Sequence, residues 1–210
     1  MEASVLPIQS PQLLHRSVQG VVAILRNNLP WLTHPYGVVE TVVDEQDRKV
    51  RYPAIYRQDS TKYYQTALPN EKTMSALSFF EKNGESRIVW DAGSPQLMGS
   101  WRHPVNLAVW CNLPKIDNRG YDFSGELAAD VLRVLRLYQI PFDTLDLRIE
   151  RVFERYALKE KKLLFYPFAG FKIPLVLTER YDACATPFQR RDPSVEYLQA
   201  SAYDQFLSTI

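Results

Sequence analysis

The sequence predicts an α+β fold: a mixed, mostly antiparallel sheet packed by two helices, with an arm at each end. Three observations predict it. Residues 11–28 and 124–138 place apolar side chains at helical spacing. Residues 105–113 and 163–177 alternate apolar and other residues with period two. Residues 36–68 fall into three short runs rich in β-branched and aromatic side chains, separated by polar turns. With 210 residues there is room for one generous domain, expected at 10–185, and for arms at 1–9 and 186–210.

Composition narrows the function classes. Apolar content of 46% with 23% charged residues is that of a globular chain, which excludes global disorder. Twenty-five Lys and Arg against 24 Asp and Glu leave a formal charge of +1, too little for the broad positive field of a protein that tracks nucleic acid along its phosphates. The opening MEASVLPIQSPQ has neither a basic nor an apolar region of the secretory kind, and no apolar run reaches the roughly 20 residues of a membrane helix. Synthesis inside the cell and no membrane association are expected.

In chain order, Ser10-Pro11 supplies a cap and a first-turn proline for a helix over 11–28. Leu14, Val18, Val21, Val22 and Leu25 form its apolar stripe, and Asn27, Asn28 and Pro30 end it. GVVETVV and KVRYPAIY then flank a charged turn and read as a hairpin, with KYYQTAL as a third antiparallel strand. Pro53 cannot donate to a ladder, so its side of the second strand must meet an edge or a bulge. Asn70 is placed to open a short helix running to Phe80, RIVWDAG reads as a strand, and GSPQLMGSWRHP reads as a loop. Trp90, Met98 and Trp101 in and around that loop serve either as a core plug or as an interface.

VNLAVWCNL, residues 105–113, is a strand with one side in a core. Its Cys111 lies on the apolar phase and reads as a buried thiol. Ser124 is expected to cap the next helix, with Glu126 in its first turn and Leu127, Val131, Val134, Leu135 and Tyr138 along one face. Pro141 stops it. Burial of such a stripe stabilises by about 1.5–3 kcal/mol per large side chain, so this helix matters to the whole fold. LDLRIERVFERY then alternates like a strand with a bulge near Arg151, ALKEKK reads as a hairpin turn, and 163–177 as the returning strand. Pro167 and Pro174 mark that last strand as an edge or a bent crossing. Beyond Cys184, TPFQRRDP is a linker, and 194–210 form a short amphipathic helix on Val195, Leu198, Ala202 and Phe206.

Chemistry is hard to find. Cys111 and Cys184 with His15, His34 and His103 form no metal-ligand spacing, and no phosphate loop or nucleophile elbow is present. Asp143 with Glu160 and Lys162 resembles the aspartate and E-x-K set of small metal-dependent nucleases, which gives one alternative. Against it, Glu160 and Lys162 fall in a solvated turn and Asp143 is a natural turn residue beside Pro141. A monomeric adaptor that binds a protein through the tryptophan loop is a second alternative. The favoured expectation is no enzymatic activity, no cofactor and no metal.

NNLPWLTHPYG, KVRYPAIYRQDSTKYYQTALPNE, VNLAVWCNL and LLFYPFAGFKIPLVLTERYDAC carry a resemblance to the tail-terminator and tail-completion proteins of tailed bacteriophages, of the type found in phages of Bacteroidetes. The resemblance implies a small α/β subunit of a virion ring at the neck or tail, made in the host cytoplasm. Its expected partners are its own copies, in a hexameric or dodecameric ring, and the adjacent tail-tube or neck proteins. DNA would at most pass through the lumen, without specific recognition. Trp90, Met98, Trp101, Phe188, Arg190, Arg191, Tyr197, Leu198 and Phe206 are the interface residues this reading selects.

Overall fold

The computed structural model describes residues 14–44, 49–56, 64–68, 74–91, 98–159 and 161–182. Helix α1 (Leu14–Asn28) forms because Leu14, Val18, Val21 and Leu25 make one buried stripe, and it ends ahead of Pro30 as the sequence predicts. Asn28 Nδ2 closes it by donating to Ile24 O at 2.8 Å, and also donates to the Tyr138 hydroxyl at 3.2 Å. The expected Ser10 cap and the terminal helix over 194–210 lie outside the described residues.

The GVVETVV run is divided between two sheets. Strand β1 (His34–Val38) joins the main sheet, parallel to β5 (Ala76–Lys82), with a register shift between Pro35 and Val38. Val39 N donates to Phe80 O at 2.9 Å, and the chain then leaves as β2 (Glu40–Val43). With β3 (Arg51–Tyr56) and β4 (Tyr64–Thr66) it makes the antiparallel three-stranded sheet expected over 36–68, in the order β2-β3-β4. Pro53 sits in the central strand of this sheet. Its carbonyl accepts from Ala67 N at 2.8 Å, so its missing donor faces the place where β4 has already ended.

The main sheet is built on β7 (Met98–Asn112) and β8 (Phe168–Asp182), antiparallel partners over fifteen consecutive register pairs. The opposite edge of β7 is shared end to end by β5 and β6 (Arg87–Trp90). The break between them falls at Pro104, whose carbonyl accepts from Asn83 N at 3.0 Å. Its absent N–H points the same way, so no continuous partner strand can pass there.

Four expectations are corrected here. Residues 76–82 are a strand, not the end of a helix opened by Asn70. Ala76, Leu77, Ser78, Phe79 and Phe80 are buried on both faces, and a run of that kind has no period to separate it from a helix. The loop assigned to 93–104 is, from Met98 onward, the first part of β7. Residues 145–150 are not a strand. In this region the backbone pairs with β8 only at isolated bridges, Phe142 with Leu175 and Asp146 with Lys172, and Asp146 Oδ1 then accepts from Arg148 N at 3.0 Å to turn the chain into α4 (Ile149–Val152). In place of a hairpin turn, residues 161–164 form a single 3-10 turn, and β8 starts after Pro167.

Short α2 (Leu113–Ile116) follows β7, and α3 (Ser124–Leu137) buries Leu127, Val131, Val134 and Leu135. Ser124 does not cap it. The first helical amide is instead held by Asp122 Oδ1 at 2.8 Å. At the other end Gln139 takes a left-handed φ of 54°, and Ile140 N donates to Leu135 O at 2.9 Å, a Schellman closure just before Pro141.

Helices α1 and α3 cover one face of the main sheet, on Val105, Leu107, Val109, Cys111, Phe171, Ile173 and Leu175. The other face is covered by the three-stranded sheet and the α4 region, on Leu77, Phe79, Ala108 and Trp110. Trp110 stacks on Phe153 with ring centroids 3.8 Å apart, and its Nε1 donates to Leu163 O at 3.0 Å. Gly170 pairs directly with Trp110, and a Cβ there would lie 2.6 Å from Phe153 Cε2. Gly170→Ala should therefore push Phe153 off Trp110 and cost about 1–3 kcal/mol, read as a lower urea midpoint. An unchanged midpoint would show that the stack can shift without penalty.

Candidate functional site

The two long strands outrun their covering layers at one end. There β6 pairs Arg87 with Arg102, Ile88 with Trp101 and Trp90 with Gly99, while β8 pairs Glu179 with Trp101 and Arg180 with Ser100. Paired residues share a face, so Trp90, Trp101 and His103 lie on the helix side and Arg87, Arg102 and Arg180 on the other. Arg16 of α1 reaches this end and bridges Glu179 at 3.2 Å.

Of the expected interface residues, Trp90 is exposed and Trp101 is half-buried. Trp90 approaches the backbone of Gly99, where a Cβ would come within 3.1 Å of its ring. Trp101 stacks on His103 at 6.1 Å with the rings 5° from parallel. His103 is only 2% exposed. Its Nδ1 lies 2.7 Å from Ser86 Oγ, and its Nε2 has no partner among the described residues. Met98 opens β7 opposite Asp182. Phe188, Arg190, Arg191, Tyr197, Leu198 and Phe206 lie outside the described residues.

The nuclease-like set is divided. Asp143 is exposed, accepts from Thr144 N at 2.8 Å, and donates its own amide to Pro174 O. Lys162 belongs to the 3-10 turn whose Leu163 carbonyl meets Trp110, the partner of Gly170. Those two anchor points on β8 are roughly 13 Å apart at about 3.3 Å per residue. Glu160 lies outside the described residues. Among the described residues no three His, Cys, Asp or Glu side chains converge as metal ligands. Nor is any described helix long and apolar enough to cross a membrane. Cys111 is fully buried as expected, and burial pushes its thiol well above the usual range.

Sequence reasoning missed two clusters. The first is buried: Glu81 of β5, 2% exposed, accepts from the Tyr156 hydroxyl at 2.6 Å and meets Lys172 Nζ of β8 at 3.2 Å. Burial, and then the Glu81 charge, raise the Tyr156 pKa, so the phenol stays a donor. The network ties three segments together beneath the second sheet. A charge directly after the apolar pair Phe79-Phe80, and a lysine inside the apolar run of β8, were the available signals. The second cluster is the exposed arginine group, beside a shallow recess lined by Glu85, Ser86, Arg87, Arg102, Pro104 and Val176.

Lys172→Met should leave Glu81 buried without its cation and destabilise by about 3 kcal/mol, whereas Glu81→Gln with Lys172→Met should recover much of the loss. A urea double-mutant cycle reads this coupling; additive losses would mean the pair is not coupled. The pH dependence follows from His103. Burial lowers its pKa below the usual 6.5, and His15 is lowered likewise by burial and by Lys82. The unfolded chain then binds more protons between the folded values and pH 6.5, so stability rises with pH across that window and falls on acidification. The urea midpoint should drop from about pH 7.5 to about pH 5.5, and His103→Asn should flatten that drop. An equally steep drop in the variant would place the titration elsewhere.

No protein-family model matches the chain, and no match was found among the curated proteins.

Proposed function

We propose that this chain is a structural subunit of a ring at the neck or tail of a tailed phage, acting by self-assembly and by joining the adjacent rings. The reading starts from the resemblance in the four sequence stretches named above. One structural observation supports it: the outer edge of β8. Lys172 exchanges both backbone hydrogen bonds with Asp146, and Pro174 O accepts from Asp143 N, so even-numbered residues turn their backbone groups away from β7. By that alternation Val176, Thr178 and Arg180 direct N–H and C=O outward, beyond the point where residues 142–146 cover the edge.

Among the described residues nothing pairs with this stretch. It contains no proline, and an open edge of this kind is a template for another chain unless it is blocked. A ring subunit uses such an edge to add a strand from its neighbour, main chain to main chain. In the virion the partners would be copies of the same chain and the tail-tube or neck proteins on either side.

The phase of the edge provides the test. Proline at 178 removes an N–H that faces outward, as Pro174 already does, so the β7–β8 ladder is untouched. Thr178→Pro should keep the wild-type circular dichroism and urea midpoint but lose the hexamer or dodecamer in native mass spectrometry. Leu177→Pro, in the inward phase, should unfold the chain. A wild-type protein that stays monomeric even when mixed with tail tubes would end the proposal.

A further inference from the structure

From the exposed arginine group we infer that the open face of β6, β7 and β8 is a sequence-independent contact surface for the phosphate backbone of duplex DNA. Arg87 and Arg102 are direct cross-strand partners and therefore share one face at the closest spacing a sheet allows. Like charges so placed repel, and no described acid neutralises them: neither they nor Arg180 makes an ion pair among the described residues. Arg180 faces the same way, one register step from the Thr178 that pairs with Arg102. Glu179, beside Arg180 in sequence, lies on the helix side and bridges Arg16; Glu85, which lines the recess, Asp91 after β6 and Asp182, in the phase of Arg180 at the end of β8, are the other described acids near them in sequence.

The chemistry of the surface selects the anion. The three guanidinium groups spread over three adjacent strands, a width of roughly 10 Å. A duplex presents a charge about every 1.7 Å of its axis, so a flat array of this width meets several phosphates at once. Arginine favours them through paired N–H donors. The other positions of the face at this end are Val89, Met98, Ser100, Pro104, Val176, Thr178 and Asp182. Among the described residues this face offers no aromatic ring on which bases of a single strand could stack, and its recess is shallow. The net charge of +1 leaves no long-range field, so the contact is local and depends on salt. The inference deepens the ring reading by assigning the surface that faces DNA in the lumen.

Fluorescence anisotropy of a short labelled duplex, titrated with the purified chain at rising KCl, tests it. Wild type should bind two unrelated sequences equally. Arg87→Gln, Arg102→Gln and Arg180→Gln should each lessen the slope of log K against log salt by about 0.9 per bound copy. The triple variant should lose binding while retaining the wild-type urea midpoint. Undiminished binding by the triple variant, or wild-type capture of polyglutamate but not of duplex, would overturn it. Native mass spectra of the same samples separate the two readings: rings without DNA binding sink only this inference, and DNA binding by a monomer sinks only the ring.

Discussion

The pairing of β7 with β8 is the constraint on which the rest of the molecule depends. Fifteen residues of each strand are held in one unbroken antiparallel register, and both helices, the second sheet and the α4 region are packed against this ribbon. Period two then fixes every role. Odd residues of β7 face α1 and α3, while even ones face Phe153 and the three-stranded sheet. Along each strand the backbone alternates as strictly as the side chains. Pro104 and Pro174 both lie in the phase that points away from the ribbon's central seam, so neither weakens it, and each marks where an outer partner stops or crosses.

The same ribbon explains the chemical character of the two ends. Near Trp110 both faces are covered, and the indole is held by Leu163 and Glu81 by Tyr156 and Lys172, while Ser78 Oγ opposite Val109 has no partner among the described residues. Toward Met98 and Asp182 the ribbon extends beyond its covering layers, and one face turns basic while the edge of β8 stays open. Structural work and surface work are thus separated along a single pair of strands. The buried charges belong to the first and the exposed arginines to the second.

Legibility in the sequence followed periodicity. Helices α1 and α3 are one-sided, so a single face of apolar residues revealed them; residues 105–112 of β7 are buried on both faces, but Asn106 and Asn112 interrupt the even phase and left the alternation readable. Strand β5 is buried on both faces, and its continuous apolar run carries no period. Residues 98–103 pair as fully as the rest of β7, but Gly99, Trp101 and His103 serve an end of the sheet without a regular core, so their pattern reads as irregular. The alternation at 145–149 was real but had no ladder behind it, because an Asp146 turn took the chain into α4. Neither cluster of charges was legible. Glu81, Tyr156 and Lys172 are far apart in sequence, and Arg87, Arg102 and Arg180 become neighbours only through register.

The interruption between β5 and β6 has a practical consequence. Each of these strands finds its own place on β7, and the short link between them loops past Pro104 with Gly84 at a φ of +127°, where a side chain would be strained. Chain length in that link is therefore uncoupled from register on either side. Provided Gly84 is kept, a small tag inserted after Glu85 leaves both strands in step, and so offers a handle for locating this end of the molecule inside a larger assembly.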